Sequence, residues 1–324
     1  MIPIKKILEN DSLVINKNIV MTGATSFIGV ELARKLLLQG YSVFAIVRAE
    51  SPNISLLPEH ECFHCVQGEL EHIEEAVQDL PNCSVFIHLG WDGVGSAGRS
   101  DVQIQEKNVN NSLKALYAAK ALCCKKFIFA GSQAEYGIHH DIITEKTKCV
   151  PVSEYGKAKL RFGKEGAEVC NALALEFIHL RIFSVYGQAD HPWTLIKSCV
   201  DAFLQGKAMR LGPCTAQWNF LYIADMAECM LKIIESGADI QKDGGVFNVA
   251  GSDTRILKDF VKEIYDLCGR RGSCEFGTVQ ARAEGQAELK PNIEKVCRVF
   301  DWRPKTSFAE GISLMIENSG ENII

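Results

Sequence analysis

Tyr155 and Lys159 stand four residues apart in Val152-Ser-Glu-Tyr-Gly-Lys-Ala-Lys, a spacing that puts a phenol and an ammonium on one face of a helix. A tyrosine near its ordinary pKa of about 10 is a poor proton shuttle at neutral pH, but a fixed cation beside it favours the phenolate and makes it a usable general acid or base. The pair points to chemistry on a carbonyl or an alcohol. A second cluster, Thr22-Gly-Ala-Thr-Ser-Phe-Ile-Gly29, gathers small residues where a strand gives way to a helix. In that setting Gly23, Thr25, Ser26, Phe27, Ile28 and Gly29 form a cradle whose backbone amides face a pyrophosphate. Ser26 stands where a further glycine is usual, and its hydroxyl leaves room for a phosphate and can donate to it.

Arg48 ends the second strand-like run. An acidic residue there selects the free ribose 2'-hydroxyl of NAD, whereas a cation meets the 2'-phosphate of NADP. Arg48 therefore predicts NADP, with NAD as the alternative, and Glu50 nearby opposes it. Glu69, in Gly68-Glu-Leu70, is placed either to contact an adenine or to sit solvated in a loop.

The elements that must hold these groups follow from periodicity. Apolar runs at 18–21, 42–47, 84–89, 126–130 and 176–180 read as buried strands, and helical spacing covers 28–38, 71–79, 102–121 and 155–170. Strands alternating with helices imply an α/β fold, a Rossmann-type doubly wound parallel sheet covered on both faces. After Arg181 the rhythm loosens into helices near 195–205, 225–235, 257–268 and 308–316, with one strand at 246–249. This predicts a dinucleotide-binding domain over 1–185, to which 219–250 returns, and a smaller, irregular substrate-binding region over 186–324.

Composition narrows the function classes. With 47% hydrophobic and 23% charged residues the chain is an ordinary globular sequence, and its net charge of -5 offers no basic surface for nucleic acid. Lys5 and Lys6 interrupt what would be the apolar core of a signal peptide, and no apolar run of about 18 residues follows, so the expectation is a cytoplasmic protein with no membrane partner. Thirteen irregularly spaced cysteines, an odd number, read as reduced thiols. The His60-Glu-Cys-Phe-His-Cys65 cluster lacks a second Cys-x-x-Cys, so no metal is expected.

With these pieces in order, the chain resembles the extended short-chain dehydrogenase/reductases, in particular the sugar-nucleotide epimerases, dehydratases and reductases, over nearly its whole length. The likeness includes His88-Leu-Gly90, Asn108, Ala130-Gly-Ser-Gln-Ala-Glu-Tyr-Gly137, Leu180-Arg-Ile-Phe-Ser-Val-Tyr-Gly187, Phe220-Leu-Tyr-Ile-Ala-Asp225 and Phe247-Asn-Val-Ala-Gly251. It implies a hydride-transfer site in which Ser132 hydrogen-bonds the reacting sugar oxygen, Tyr155 is the acid or base, and Lys159 is its electrostatic partner and holds the nicotinamide ribose. Leu70, Leu89, Gly90 and Asn108 join the cofactor set. For Ser132 a bare strand-end cap is the alternative, which its place before Tyr136-Gly137 argues against.

Dehydratases of this kind carry an Asp-Glu pair directly after the Ser132 position; here Gln133 and Ala134 cannot titrate, so dehydration is excluded, and Glu135 reads as a structural or substrate-polar contact. The resemblance then implies an NADPH-dependent reduction of a nucleotide-linked 4-keto-6-deoxyhexose. An NAD-dependent 4-epimerase is the alternative, and a catalytically silent NADP-binding sensor a further one. Gln133 and Ser184, the latter replacing a family asparagine, are expected to touch the sugar. Arg282 and Arg210 are candidates for a phosphate clamp, and Trp218, in place of a family arginine, offers a face for a base. The resemblance also implies a homodimer through the helices at 102–121 and 155–170; Leu113, Leu116 and Tyr117 either supply the shared face or are buried against the chain's own sheet. The first sixteen residues precede the family's usual start, where a short helix over the sheet edge would fit.

Overall fold

The computed structural model describes residues 16–279 and 288–320, so the expected N-terminal helix falls outside the described residues apart from residue 16. Seven strands form one parallel sheet: β1 (Asn18–Thr22), β2 (Ser42–Val47), β3 (Phe63–Gln67), β4 (Val85–His88), β5 (Lys126–Ser132), β6 (Glu176–Ile182) and, after a long excursion, β10 (Val246–Val249). Their order is β10-β6-β5-β4-β1-β2-β3. The order reverses between β1 and β4, and a ligand crevice in such a sheet opens beyond the carboxyl ends of the strands at that reversal.

Helices α1 (Phe27–Leu38), α2 (Ile73–Val77), α3 (Val102–Ala121), α4 (Glu154–Ala172) and α6 (Ile223–Glu235) cover the sheet. The expected helix at 71–79 is a single 3-10 turn, Leu70–His72, followed by the five residues of α2. Only Ile73 and Val77 are buried there, and the charged residues around them have no apolar surface to hold a longer helix. Strands β5 and β6 run two residues past their expected ends because the ladder continues through Gly131↔Arg181 and Ser132↔Ile182. That extension carries Ser132 to the crevice.

The remaining elements are β7 (Ser184–Tyr186), α5 (Leu195–Leu204), β8 (Ala208–Arg210), β9 (Gln217–Tyr222), β11 (Thr254–Ile256), α7 (Leu257–Leu267), β12 (Ser273–Glu275), α8 (Glu294–Phe300) and α9 (Phe308–Gly320). They include a three-stranded sheet, β11-β9-β7, and a β12-β8 pair. Apart from the six-residue β9, these strands have three residues each and carry no readable alternation, so the sequence showed only the helices among them. Asn219 holds the small sheet to the chain after β10: its amide donates to the carbonyls of Gly251 and Asp253, and its oxygen accepts from Gly251 N.

Beneath α3 and α4 an aromatic core of Phe86, Phe127, Phe129, Phe162 and Phe177 is almost fully buried. Of the three residues expected on a dimer face, Leu116 is buried in this core and Leu113 packs against it, leaving Tyr117 exposed. Gly163 lets α4 lie directly on His179, where a Cβ would stand 2.3 Å from the ring. Gly→Ala in a helix ordinarily gains about 0.5–1 kcal/mol. Here the sign reverses: Gly163→Ala is expected to lower stability by about 1–3 kcal/mol in urea unfolding, and an unchanged or raised midpoint would contradict the packing.

Candidate functional site

The cradle begins where β1 ends. Gly23 has a φ of +72°, and a Cβ on it would lie 2.6 Å from Gly90 N, while one on Gly29 would lie 2.1 Å from Gly23 O. Two strand ends and a helix start are thus packed backbone to backbone, leaving no side chain between the first turn of α1 and an incoming group. The amides of Phe27 and Ile28 belong to that turn, where no intrahelical acceptor exists. Ser26 acts as the helix cap, its oxygen accepting from Gly29 N at 3.1 Å, so only its hydroxyl proton remains for a phosphate. Thr25 is held by Ser51, which donates to its hydroxyl at 3.0 Å, and by Asn53, which donates to its carbonyl. This arrangement fits the pyrophosphate of a dinucleotide.

Arg48 follows β2 and pairs with Asp92 at 3.0 Å, both side chains about half exposed, so the opposing carboxylate is Asp92 and not Glu50. An exposed pair of this kind contributes roughly 0.2–1 kcal/mol and leaves the guanidinium able to exchange partners. Glu69 is exposed at the start of its turn and makes no cap. Leu70 flanks Gly90, its Cδ1 3.2 Å from where a Cβ would be, and Leu89 is half-buried against the core. Asn108 is buried and its amide is committed: it accepts from Asp92 N at 3.0 Å and donates to Asp92 O at 2.9 Å. It therefore clamps the loop after β4, where the expectation was a direct cofactor contact.

His88 ties the ends of β1 and β4 to α3. Ser112 donates its one hydroxyl proton to Asn108 O, so it must accept from His88 Nε2, which leaves Nδ1 to accept from Thr22 Oγ1; both ring contacts are 2.8 Å. Burial, helped by the Lys159 charge, pushes the His88 pKa down to about 3.

Ser132 ends β5 and caps the 3-10 turn Gln133–Glu135, so the capping role that the sequence argued against is present. Its oxygen accepts from Ala134 N at 3.2 Å, and the same hydroxyl meets Tyr155. Glu135 closes the cap by accepting from Ser132 N at 2.9 Å, while its two oxygens take His179 Nε2 and Arg181 Nε, each at 2.9 Å. It is wholly buried. Burial would raise its pKa, but His179, Arg181 and the Ser132 amide outweigh that and hold it below 4.5.

Lys159 departs from the simple helix-face picture. Its ammonium is buried, donates to Ala130 O at 2.7 Å, and lies 3.8 Å above the Trp91 ring, but 5.7 Å from the Tyr155 ring centre. Burial lowers its pKa to about 7, against the pull of Glu135. Tyr155, in turn, is raised by its own burial, with the Ser132 hydrogen bond and Arg99 acting to lower it. The helical spacing is therefore real, but the phenol and the ammonium face different neighbours.

Residues 19–250 match the NAD dependent epimerase/dehydratase family. The chain belongs to that family. It is 26% identical to the CDP-abequose synthase of Salmonella muenchen, covering 93% of this chain and 98% of that protein. Its fold is that of the UDP-glucose 4-epimerase of Thermotoga maritima, solved with UDP-glucose (TM-score 0.83, 21% identity, 95% of this chain and 100% of that one). It is also that of the UDP-glucuronic acid 4-epimerase of Bacillus cereus, solved with UDP-glucuronic acid and NAD (TM-score 0.78, 22% identity, 94% and 99%). Among the described residues no helix is long and apolar enough to cross a membrane.

Within this family frame the substrate-side residues are dispersed. Gln133 is half-buried next to Ser132. Ser184 and Trp218 meet, the indole donating to Ser184 Oγ at 3.0 Å, so the serine orients the ring. Arg210 is exposed on β8 and faces Glu275 at 3.4 Å. Arg282 lies outside the described residues. Sequence reasoning missed Trp91 and Arg99, which lie against Lys159 and Tyr155, and Gln105, which holds their loop from α3. Trp91 was visible as a bulky ring directly after His88-Leu-Gly90; nothing local distinguished Arg99 or Gln105.

The Glu135 cluster sets a pH dependence. A carboxylate whose folded pKa is below its unfolded value of about 4.5 stabilises fully above that pH, and the contribution is lost as pH falls through the folded value. Glu135→Gln should cost about 3–5 kcal/mol at neutral pH, because Arg181 is left buried without a counter-charge, and should flatten the acid limb of stability; denaturant titration across pH reads both.

Proposed function

We propose that the chain reduces a nucleotide-linked 4-keto-6-deoxyhexose, using NADPH, with Tyr155 as the proton donor. The observation that carries the cofactor choice is Arg48: a half-exposed guanidinium follows β2 where an acidic residue would repel a 2'-phosphate. The reaction type rests on Ser132 meeting Tyr155, with Lys159 behind them on Ala130 O, beside Gln133 and Ala134, which offer no acid or base for eliminating water. A relative named for synthesising a CDP-linked sugar, rather than for epimerising one, supports the same reading.

In this reading Ser132 and Tyr155 hydrogen-bond the carbonyl oxygen of the sugar, and the proton on Tyr155 Oη passes to that oxygen as it becomes an alcohol. When bound, the nicotinamide supplies the hydride to the carbonyl carbon. Lys159 holds the floor of the site through Ala130 O and changes charge near neutral pH. The cradle from Gly23 to Gly29 holds the pyrophosphate. Trp218, oriented by Ser184, offers its ring to the base of the nucleotide. A homodimer through α3 and α4, with Tyr117 at its face, and a division into a dinucleotide-binding unit and a substrate-binding region belong to the same proposal.

A second reading, an NAD-dependent 4-epimerase, is favoured by the fold shared with two 4-epimerases, one of them solved with NAD. The two differ in whether cofactor is consumed. With a panel of nucleotide-linked 4-keto-6-deoxyhexoses, NADPH absorbance should fall in step with product, and Tyr155→Phe should cut kcat by about 10²- to 10⁴-fold. Arg48→Asp should weaken NADPH while sparing NADH. Conversion of a sugar nucleotide into its 4-epimer without net NADPH oxidation would establish the epimerase instead.

A further inference from the structure

The loop between β4 and α3 brings a cation to the face of Tyr155 that the family pair does not account for. Arg99 lies in the 3-10 turn Gly98–Ser100, and its guanidinium carbon stands 4.3 Å from the centre of the Tyr155 ring. It is half-buried, and among the described residues it enters no ion pair. Its turn is held by one buried side chain: Gln105 donates to Gly98 O at 2.9 Å and to Gly93 O at 3.3 Å, while its oxygen accepts the Trp91 indole at 2.8 Å. Trp91 meets Tyr155 edge-on, with ring centres 6.5 Å apart. Gln105 thus fixes both the arginine over Tyr155 and the aromatic ring beneath Lys159.

The groups facing Tyr155 differ in what they can do for a developing phenolate. Ser132, at the end of β5, has one hydroxyl proton, which meets Tyr155 in the free protein and goes to the sugar oxygen in the proposed reaction, so it brings no charge to the phenol. Glu135, in the turn that follows, carries a charge of the wrong sign, which is paired with Arg181 and takes a hydrogen bond from His179. Lys159, on the same helix, is committed to Ala130 O and the Trp91 face, and its charge is only partly present at neutral pH. Glu154 and Lys157, also on that helix, pair with each other at 2.7 Å on its exposed side. Arg99 brings a guanidinium against the ring itself.

The geometry points to Arg99 as the cation that poises Tyr155 for proton transfer. As the Tyr155 proton moves to the sugar oxygen, the negative charge left on the phenol develops under the guanidinium, and water restores the proton afterwards. Arg99 acts through Tyr155 and needs no contact with the reacting carbon. This rests on Tyr155 being the acid of the proposed reaction, so the test reads its ionisation without substrate or cofactor.

Ring-labelled tyrosine followed by nuclear magnetic resonance against pH, with the Tyr155 signal identified by its loss in Tyr155→Phe, reports the phenol directly. Arg99→Met should move the Tyr155 midpoint up by about one pH unit or more, and Arg99→Lys should restore most of the difference. In turnover, Arg99→Met should lower kcat, with KM for the nucleotide sugar little changed, and shift the alkaline limb of kcat in the same direction as the resonance. An unmoved midpoint in Arg99→Met would overturn the proposal. Equal shifts in Arg99→Lys and Arg99→Met would overturn it too, because packing rather than charge would then be responsible. A shifted resonance in a protein that turns over no ketosugar would leave the role of Arg99 intact and sink the reductase reading instead.

Discussion

The ends of β5 and β6, and the candidate site they carry, hang on a carboxylate with no access to water. Glu135, in the turn after β5, accepts from Ser132 N, His179 and Arg181, and these three partners come from two adjacent strands, β5 and β6. Placing a charge there is costly unless every lone pair is used, so the cluster tolerates few other arrangements. It fixes the end of β5, and with it the direction of Ser132. Gly131 and Gly163 are the corollary: a Cβ on either would intrude on the His179 ring. Small residues above and below the ring let a helix and a strand close over the ion cluster.

From that anchor the geometry spreads along the loop ends. The His88 bridge between Thr22 and Ser112 joins β1, β4 and α3 in one hydrogen-bonded line, and its neutral, tautomer-fixed ring lets it sit in an apolar core at little cost. Asn108 and Gln105, one turn apart on α3, then grip the backbone after β4 at Asp92, Gly93 and Gly98. Helix α3 is thereby a jig for a loop that would otherwise be free. Its polar inward side chains lower its amphipathic signal but do the positioning.

The large sheet was legible because buried parallel strands and their crossover helices carry strong periods, and the β2 and α3 bounds coincide with the apolar and helical runs read at 42–47 and 102–121. The cradle was legible as well, since Gly23 and Gly29 answer a backbone demand that few residues meet. What failed to show was the consequence of burial. Spacing placed Tyr155 and Lys159 on one helix face, but only the fold reveals that Trp91 and Ala130 O claim the ammonium. Ser132 and Ser26 were read for their hydroxyls as ligands, and both also cap helical turns, a double duty that a hydroxyl with one donor and two acceptor sites permits. Asn108 entered the cofactor set through the family resemblance alone, and no local pattern showed that its amide grips the backbone of Asp92.

The seventh strand has a consequence for how the chain is made. Strand β10 pairs with β6, yet some sixty residues separate them in sequence, and these form β7, α5, β8, β9 and α6. On the ribosome, the β6 edge stays bare until residue 249 has emerged, with its hydrogen-bonding groups and apolar face unprotected. Nascent chains stalled before that point would carry the finished turn after β1 beside an open, sticky margin, the kind of edge that invites pairing with another chain.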